Sequence, residues 1–526
     1  MIHVICPGSR SEAGNIVEAA MRRSCGKRLV CRSSISIMMG KPSPLTVACW
    51  VLIDPLEAWS LTIIEAIQGR DCKILLLGAI PPTLASHLNM TVFPVGQTLK
   101  DAVACVPAPS HQFTESEARV TYIKGLASFL SPIQSRPFLR YDFTDEWNNL
   151  GYGAIKADDS IWAIATQALI ATDNCIAEVS TGEQALSAYC GLWDAQANSL
   201  LWFNRPVGPV DSQEWSLIEY FLANYRNINL PCWPVIREIP HGYEGAVTMR
   251  LDCDEDIESA RTLWETYQTL DIPFSLALHA AVLPDERQHL LPQQVLEKGG
   301  AILSHTATHA ANWGGSYDAA YHEAISSAQE VLQVTGHRVR YAVSPFHQTP
   351  DYARAALADA GYKGCIGGII RNDPDFLMAR AGLAPGSADG FIGHSQQCML
   401  HGDCVLESTE PLAIFKQAFD MAKAGGAFFG YLDHPFSPRY QYGWLSEAQR
   451  ITMHREFISY LKLSDNILFC NQTDALDFLS DKAAIEVTML PDGFQVIPSA
   501  VSIGKWQVSV EFKDIITMIP ASGIVL

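Results

Sequence analysis

The sequence predicts an α/β protein: a distorted β/α barrel of seven or eight strands, preceded by an open α/β sheet and followed by a small β unit. The chain has 526 residues, of which 48% are hydrophobic, which is enough to bury more than one ordinary core. Strand-sized apolar runs alternate with helical segments through the first 105 residues or so. Seven further runs, again separated by helical segments, follow between residues 247 and 469.

Residues 1–235 are predicted to form one or two non-catalytic α/β sheet domains, with a split near residue 105 left open. The predicted strands are 3–6, 46–53, 73–78 and 199–203, and the predicted helices are 14–23, 56–68 and 212–225. The stretch Pro231-Cys232-Trp233-Pro234 indicates a linker. The barrel is then expected over residues 236–480.

This first part resembles flavodoxin-like and glutamine-amidotransferase-like sheets. An amidotransferase places a nucleophilic cysteine in the tight turn after a strand. Here that turn is Gly78-Ala79-Ile80-Pro81, which contains no nucleophile. We therefore expect residues 1–235 to have a structural or substrate-presenting role.

The predicted barrel strands are followed by polar residues where an active site is expected. The strands are 247–251, 274–278, 301–303, 341–343, 365–370, 428–432 and 467–469. Asp252, His305, Pro345 and His434 each come within two residues of a strand's last apolar position. The carboxyl ends of barrel strands form the catalytic rim, so these residues are expected to lie close together. Residues 481–526 alternate apolar and polar positions around turns and predict the small β unit.

Composition excludes several classes of function. The net charge is −19, from 56 acidic and 37 basic residues without a Lys/Arg-rich run, which argues against a nucleic-acid partner. The longest apolar runs are strand-sized, and no basic segment precedes an apolar one at the N-terminus, so we expect no transmembrane segment and a cytoplasmic location. Fourteen scattered cysteines without a Cys-x-x-Cys pair predict buried, reduced thiols. A homo-oligomer remains an open alternative.

Two histidines and a carboxylate predict a metal site. His305 and His309 are four residues apart, a spacing that places both on one face of a helix. One carboxylate from the acidic cluster after another strand completes a facial set of three ligands and leaves coordination positions open. The cluster 252–258 holds five acidic residues, whose mutual repulsion a cation relieves. Asp256 and Glu258 also suit the first turn of a helix predicted over 260–270. Without a thiolate ligand, Zn²⁺ is the leading choice, and Co²⁺, Ni²⁺ and Mn²⁺ remain open.

The order of an acidic cluster, His-x-x-x-His, a proline-containing strand end and Leu-x-His resembles the polysaccharide deacetylase family, the NodB-homology enzymes of carbohydrate esterase family four. The resemblance covers about residues 240–480. It implies a metal-dependent enzyme that removes N- or O-acetyl groups from sugars. It also implies a set of roles: Asp252 is the general base, Asp254, His305 and His309 are the metal ligands, and His434 is the general acid.

The third family motif is matched in part. Pro345 and Phe346 are present, and the resemblance implies that the Phe346 N–H contributes to the oxyanion hole; His347, Tyr442 and Trp444 are further candidates for contact with the substrate. The motif arginine that pairs with the base is missing. Arg340 and Arg371 are the open alternatives for that partner.

The fourth motif, a carboxylate that orients the general acid, is not assigned to one residue. Asp373, Asp375 and Asp403 are candidates. Asp433 is disfavoured because neighbouring residues on a strand point to opposite faces. The segment 394–404, which includes His401, is predicted to form a loop over the site.

The expected function is therefore a metal-dependent hydrolase that removes an N-acetyl or other acyl group from a sugar or saccharide precursor. A cytoplasmic protein does not reach an assembled extracellular polymer, so surface-glycan biosynthesis is the expected setting. One alternative is an amidase that uses the same residues on a cyclic amide or imide. Another is a nucleotide-sugar glycosyltransferase using Asp252-x-Asp254, which leaves both histidines unexplained and lacks a glycine-rich phosphate loop. A non-catalytic carbohydrate-binding protein is the third.

Overall fold

The structure is a computed structural model. It describes residues 1–39, 48–69, 71–104, 117–123, 136–137, 157–209, 212–367, 380–384, 386, 390–395, 398–405, 407 and 410–526. Across these ranges no helix combines the length and the apolar character needed to cross a membrane. The thirteen cysteines described are reduced thiols, and all but Cys6 and Cys31 are buried.

The first part of the chain builds a nine-stranded mixed sheet. The strands in this region are β1 (Ile2–Ile5), β2 (Val30–Arg32), β3 (Cys49–Ile53), β4 (Cys72–Leu77), β5 (Thr91–Phe93), β6 (Arg119–Tyr122), β7 (Arg136–Pro137), β8 (Gln167–Leu169), β9 (Cys175–Thr181), β10 (Gln184–Asp194) and β11 (Asn198–Phe203). The sheet order is β2-β1-β3-β4-β11-β10-β9-β6-β7, while β5 and β8 pair separately. Its helices are α1 (Ser11–Cys25), α2 (Ser60–Gly69), α3 (Pro82–His87), α4 (Gln97–Ala104) and α5 (Ser212–Ala223).

This part of the chain mixes strands and helices, while its resemblance to a flavodoxin-like or amidotransferase-like domain stays a prediction. Strands β2, β1, β3, β4 and β11 are parallel, as expected when helices connect them. Strands β10, β9, β6 and β7 extend the sheet in antiparallel fashion. Strands from both sides of residue 105 thus belong to one sheet. The division of the chain into domains stays a prediction.

A second sheet of ten strands carries the rim predicted from the sequence. Its strands are β13 (Gly245–Cys253), β14 (Ser275–Leu278), β15 (Ala301–Ser304), β16 (Tyr341–Val343), β17 (Gly364–Gly367), β18 (Gly382–Leu383), β19 (Ile392–Ser395), β20 (Cys398–Met399), β21 (Phe428–Asp433) and β22 (Ile467–Cys470). The order is β18-β19-β17-β16-β15-β14-β13-β21-β20, with β22 also paired to β13. All pairings are parallel except that of β18 with β19.

All seven apolar runs predicted to be barrel strands are found as strands, although residues 368–370 of the fifth run lie outside the described residues. Strand β13 is central because β21 pairs along one edge, while β22 and β14 share the other. The described pairings form one open path from β18 to β20. Closure of this sheet into a barrel stays a prediction.

Within the described ranges, seven helices accompany the second sheet, and small β ladders end the chain. The helices are α6 (Arg261–Thr269), α7 (Leu290–Glu297), α8 (Tyr317–Thr335), α9 (Asp351–Asp359), α10 (Ala413–Ala424), α11 (Glu447–Leu461) and α12 (Gln472–Ala483). The remaining strands are β12 (Val235–Ile236), β23 (Glu486–Leu490), β24 (Gly493–Ile497), β25 (Ser509–Phe512), β26 (Ile515–Met518) and β27 (Ile524–Val525). They form two three-stranded sheets, β12-β25-β26 and β23-β24-β27.

The two large sheets share one apolar core. A continuous buried cluster includes Val51 of the first sheet together with Ala277 and Leu303 of the second. Buried charges also link the two parts: Arg380 Nη2 lies 2.6 Å from Glu219 Oε2 on α5. Burial of a paired charge avoids the large desolvation cost of an unpaired one. The first part therefore supports the second by packing as well as by polar contacts.

Candidate metal centre and active site

The candidate site is built at the carboxyl ends of β13, β15 and β21. Asp254 follows β13, His305 follows β15 and His434 follows β21. Strand β13 pairs in parallel with β21 and β14, and β14 pairs in parallel with β15. Because parallel neighbours end at the same edge, residues distant in sequence meet there.

Asp254, His305 and His309 form a compact cluster, referred to below as the metal-ligand cluster. Asp254 Oδ1 lies 3.2 Å from His305 Nε2 and 3.5 Å from His309 Nε2. His305 Nδ1 is 3.1 Å from the carbonyl oxygen of Val343, which accepts only, so this nitrogen carries the proton and Nε2 presents a lone pair. Asp254 Oδ1 is buried without a hydrogen-bond partner.

The donor set of this cluster fits a divalent cation. A carboxylate oxygen and two imidazole nitrogens that converge without a proton between them repel one another unless a cation lies among them. Nitrogen and oxygen ligands suit Zn²⁺ and neighbouring divalent metals, and the Val343 carbonyl fixes the tautomer of His305 as outer-shell groups do in metalloproteins. The three ligands predicted from the sequence are therefore brought together in space.

The electrostatics of the cluster favour the ligand forms of Asp254 and His309. Burial alone raises the pKa of Asp254, but the neighbouring imidazoles of His305 and His434 hold that pKa at about 2. Burial, aided by His305, lowers the pKa of His309 to about 4. Asp254 is thus ionised and His309 neutral near pH 7. Burial lowers the pKa of His305, but the carboxylates of Asp252 and Asp254 raise it by more. The pKa of His305 therefore lies above its ordinary value.

The two histidines do not lie on a helix, so that part of the sequence prediction is wrong. Residues 305–310 form a loop in which Thr306 and His309 adopt left-handed backbone conformations, with φ of 68° and 53°. The His309 N–H donates to Thr306 Oγ1 at 3.0 Å. Such φ values cost roughly 1–3 kcal/mol for residues other than glycine and persist only where other contacts impose them.

Glu323 on α8 supplies those contacts. Its carboxylate accepts hydrogen bonds from the backbone N–H groups of Ala307 and Thr308, at 2.9 and 2.8 Å, and from the Thr308 hydroxyl at 2.6 Å. The sequence analysis did not single out this residue. Its signal is weak, because one glutamate on a polar helix face is common.

The partner of Asp252 is Arg250, from the same strand. Arg250 Nε lies 2.6 Å from Asp252 Oδ1 and Nη2 lies 3.2 Å from Oδ2, and both side chains are buried. Burial alone raises the pKa of Asp252, but Arg250 outweighs it and holds that pKa far below its usual range. Residues two apart on a strand share a face, so the spacing Arg-x-Asp was a readable signal.

Neither arginine proposed from the sequence is needed for this pair. Arg340 Nη2 instead lies 2.6 Å from Asp477 Oδ2 on α12. Arg371 lies outside the described residues, as do two of the carboxylates proposed to orient His434, Asp373 and Asp375. The third, Asp403, is exposed.

The Nδ1 atom of His434 is contacted by a second histidine. His401 Nε2 lies 2.8 Å from His434 Nδ1, and His434 Nε2 lies 3.5 Å from Asp254 Oδ2. The ring of Tyr442 stacks on that of His434, with centroids 4.2 Å apart and an interplanar angle of 14°. Burial lowers the pKa of His401 to about 3, so His401 is neutral and able to accept a hydrogen bond from His434.

Asp433 anchors the end of β21 next to His434. Its Oδ2 accepts from Arg450 Nε at 2.6 Å and from His454 Nε2 at 3.0 Å, and all three side chains are fully buried. His454 Nδ1 in turn lies 2.8 Å from the hydroxyl of Tyr267. Burial alone raises the pKa of Asp433, but Arg450 and His454 hold that pKa far below its usual range.

The predicted oxyanion and substrate residues divide into two groups. Pro345, Phe346 and His347 form a short turn after β16, and the Phe346 ring, 52% exposed, lies 4.7 Å from that of His309. Burial, together with Arg250, lowers the pKa of His347 to about 3. Trp444 requires a correction: it is 2% exposed, and its Nε1 donates to Asp433 Oδ1 at 3.4 Å. It packs behind the site and does not face a substrate.

Known structures resemble about half of the chain. A Mycobacterium smegmatis protein assigned to the polysaccharide deacetylases matches with 16% identity and a TM-score of 0.36, over 48% of this chain and 96% of its own. Puue allantoinase matches with 13% identity and a TM-score of 0.36, over 46% and 92%. A family 4 carbohydrate esterase pseudoenzyme from Bacillus anthracis matches with 15% identity and a TM-score of 0.30, over 46% and 69%.

Polysaccharide deacetylases are among the structures that this chain resembles. No protein-family model matches the chain, and no curated protein matches it either. The identities and TM-scores are low, and the neighbours include both enzymes and a pseudoenzyme. Function therefore has to be inferred from the side chains of the site itself.

Proposed function

We propose that this protein is a metal-dependent deacetylase that hydrolyses the N-acetyl group of a sugar or saccharide precursor. The observation that carries the proposal is the joint placement of the metal-ligand cluster, an arginine-paired carboxylate at Asp252 and the imidazole of His434, all at one rim. These are the parts that hydrolysis of an amide requires: a cation site, a base and an acid.

Each residue has a distinct role in this reaction. A divalent cation held by Asp254, His305 and His309 supplies a Lewis acid for the acyl carbonyl. Asp252 accepts the proton of the attacking water, and Arg250 keeps its carboxylate ionised and in place. His434 Nε2 delivers a proton to the departing sugar nitrogen, while His401 and the ring of Tyr442 hold the imidazole in position. The Phe346 N–H is the candidate donor to the developing oxyanion.

Other parts of the proposal follow from the chemistry of the site. We infer Zn²⁺ as the metal, with Co²⁺, Ni²⁺ and Mn²⁺ as further candidates, because the ligands are nitrogen and oxygen. We also propose an intracellular, soluble sugar precursor of surface glycan as the substrate. The grouping of Asp254 with two histidines argues against the glycosyltransferase alternative, which gives the histidines no role.

The test combines metal analysis with substrate turnover. Purified wild-type protein is expected to contain about one equivalent of metal by elemental analysis and to release acetate from N-acetylglucosamine, its nucleotide form or its short oligomers. His305→Ala and His309→Ala are expected to lose both metal and turnover. His322→Ala, a change at an exposed histidine on α8, is the matched control and should retain both.

Three results would contradict the proposal. One is full activity of His305→Ala in chelator-treated buffer. Another is metal-loaded wild-type protein that hydrolyses no N-acetyl sugar but opens a cyclic imide, which would redirect the same residues to an amidase. A metal-loaded protein that binds saccharides without any turnover would indicate a carbohydrate-binding protein instead.

A further inference from the structure

His279 is a rim residue that the proposed reaction does not use. It directly follows β14, between the strands that carry Asp254 and His305. The next two residues, Ala280 and Ala281, donate backbone hydrogen bonds to the carbonyls of Thr306 and Ala307, at 3.0 and 3.1 Å. His279 is therefore held against the loop that carries His309.

The main chain fixes which nitrogen of the His279 ring acts as the donor. Its Nδ1 lies 2.7 Å from the carbonyl oxygen of Asp254. A carbonyl accepts and does not donate, so Nδ1 carries the proton of this tautomer and Nε2 presents the lone pair. The main chain of a metal ligand thus orients His279.

The lone pair at Nε2 has no partner in the described part of the chain. The atom is shielded from solvent and makes no hydrogen bond, although the His279 ring lies only 5.8 Å from that of His309. A buried acceptor left unsatisfied costs about 1–3 kcal/mol. His279 is also not one of the residues whose ligand atoms group with the metal-ligand cluster. This combination suits an atom that accepts a hydrogen bond from a bound molecule.

We propose that His279 Nε2 accepts a hydrogen bond from the substrate, from an amide N–H or a hydroxyl of the sugar, and so helps to determine which acyl compounds bind. The inference rests on the proposed function and deepens it by assigning a specificity residue. It requires a substrate with a donor near the scissile group. An ester without any donor gains nothing from His279.

Two variants separate the acceptor from the main-chain contact. His279→Asn keeps an amide N–H near the position of Nδ1 and removes the acceptor at Nε2. His279→Gln reaches the Nε2 position and offers a carbonyl oxygen as acceptor. Both are compared with wild type on N,N′-diacetylchitobiose, which carries amide and hydroxyl donors, and on 4-nitrophenyl acetate, which carries none.

The variants are expected to change the kinetics with one substrate and not with the other. His279→Asn should raise KM for the chitobiose about tenfold, the effect of one hydrogen bond, with kcat and metal content unchanged. His279→Gln should recover most of this loss. Neither variant should change the kinetics with 4-nitrophenyl acetate.

Several outcomes would overturn the assignment of His279. Unchanged KM for chitobiose in His279→Asn would show that the substrate does not bond to Nε2, and equal losses on both substrates would show a structural role. Binding of chitobiose by calorimetry gives a readout independent of turnover. If wild type binds without hydrolysis, the deacetylase proposal fails, while a tenfold weaker affinity of His279→Asn still supports His279. If wild type does not bind the sugar, the His279 proposal fails.

Discussion

His401 Nε2 lies 2.8 Å from His434 Nδ1, so the candidate general acid is oriented by a second, neutral imidazole. Asp433 is farther from His401, at 3.8 Å, and is occupied by Arg450 and His454. The orienting group is therefore a histidine in a loop that the sequence analysis placed over the site without a definite role.

Replacing His401 with Leu is expected to lower kcat about 100-fold, because a general acid that is no longer held in place loses most of its contribution. KM and metal content should stay near wild type, since His401 contacts neither the metal-ligand cluster nor the substrate in the proposed reaction. Steady-state kinetics and elemental analysis measure both. His401→Gln, which retains an acceptor, should recover part of kcat, and loss of metal in His401→Leu would contradict a positioning role.

Glu323 is not a metal ligand, but we expect its removal to lower the affinity for the metal. Its carboxylate holds the backbone of Ala307 and Thr308, next to His309. Glu323→Ala should weaken metal binding about 10- to 100-fold, as changes to outer-shell groups typically do. Competition with a zinc-sensitive dye measures the affinity. Glu330→Ala, also on α8 but exposed and away from this loop, is the matched control and should bind metal like wild type.

We expect the buried pair of Arg450 and Asp433 to stabilise the folded protein. Arg450→Met leaves the buried carboxylate of Asp433 without its arginine partner and should lower the free energy of unfolding by about 3–5 kcal/mol. The double variant Arg450→Met/Asp433→Asn removes both charges and should be less destabilised than the single variant. Urea denaturation followed by tryptophan fluorescence compares them, and a double variant that is the less stable of the two would argue against this view of the pair.

Because the pKa of Asp433 is depressed, we expect the free energy of unfolding to depend on pH. Its pKa in the folded protein is depressed below the ordinary value of about 3.9, so the unfolded chain binds the proton more readily. The stabilisation is fully present above about pH 4 and is lost as the pH falls below that value towards the folded pKa. Asp433→Asn should therefore lose less stability than wild type between pH 5 and pH 3, and an identical slope in the two proteins would refute the assignment.

Because the ring of Tyr442 stacks on that of His434, we expect kcat to depend more on the Tyr442 ring than on its hydroxyl. The two rings are nearly parallel at 4.2 Å, and the ring of Tyr442 also lies 5.2 Å from that of His401. Tyr442→Phe keeps this contact and should retain kcat within about twofold, because an aromatic contact worth about 1 kcal/mol is preserved. Tyr442→Ala removes it and should lower kcat roughly tenfold or more, which steady-state assays on an N-acetyl sugar would reveal.

Hydrophobic periodicity and residue spacing were sufficient to predict seven of the ten strands of the second sheet and the rim at their carboxyl ends. Both signals are local, because burial of a strand imposes its pattern on consecutive residues. The same reasoning predicted that Asp254, His305 and His309 come together. The prediction of the backbone conformation at the two histidines was wrong. A helix was expected for the pair, but it lies in a loop with left-handed backbone conformations, which contacts from Glu323 hold in place.

The local sequence thus determines whether a segment forms a strand or a helix. It also determines which residues with catalytic or metal-binding side chains stand at the strand ends. The partners of those residues are decided by tertiary structure. His401 lies 33 residues from His434, and Trp444, predicted to face a sugar, turns inward to Asp433. Such choices depend on which side chains share a buried space once the strands have packed, and the burial of polar groups forces each to find a partner there. No periodicity in the chain encodes that outcome.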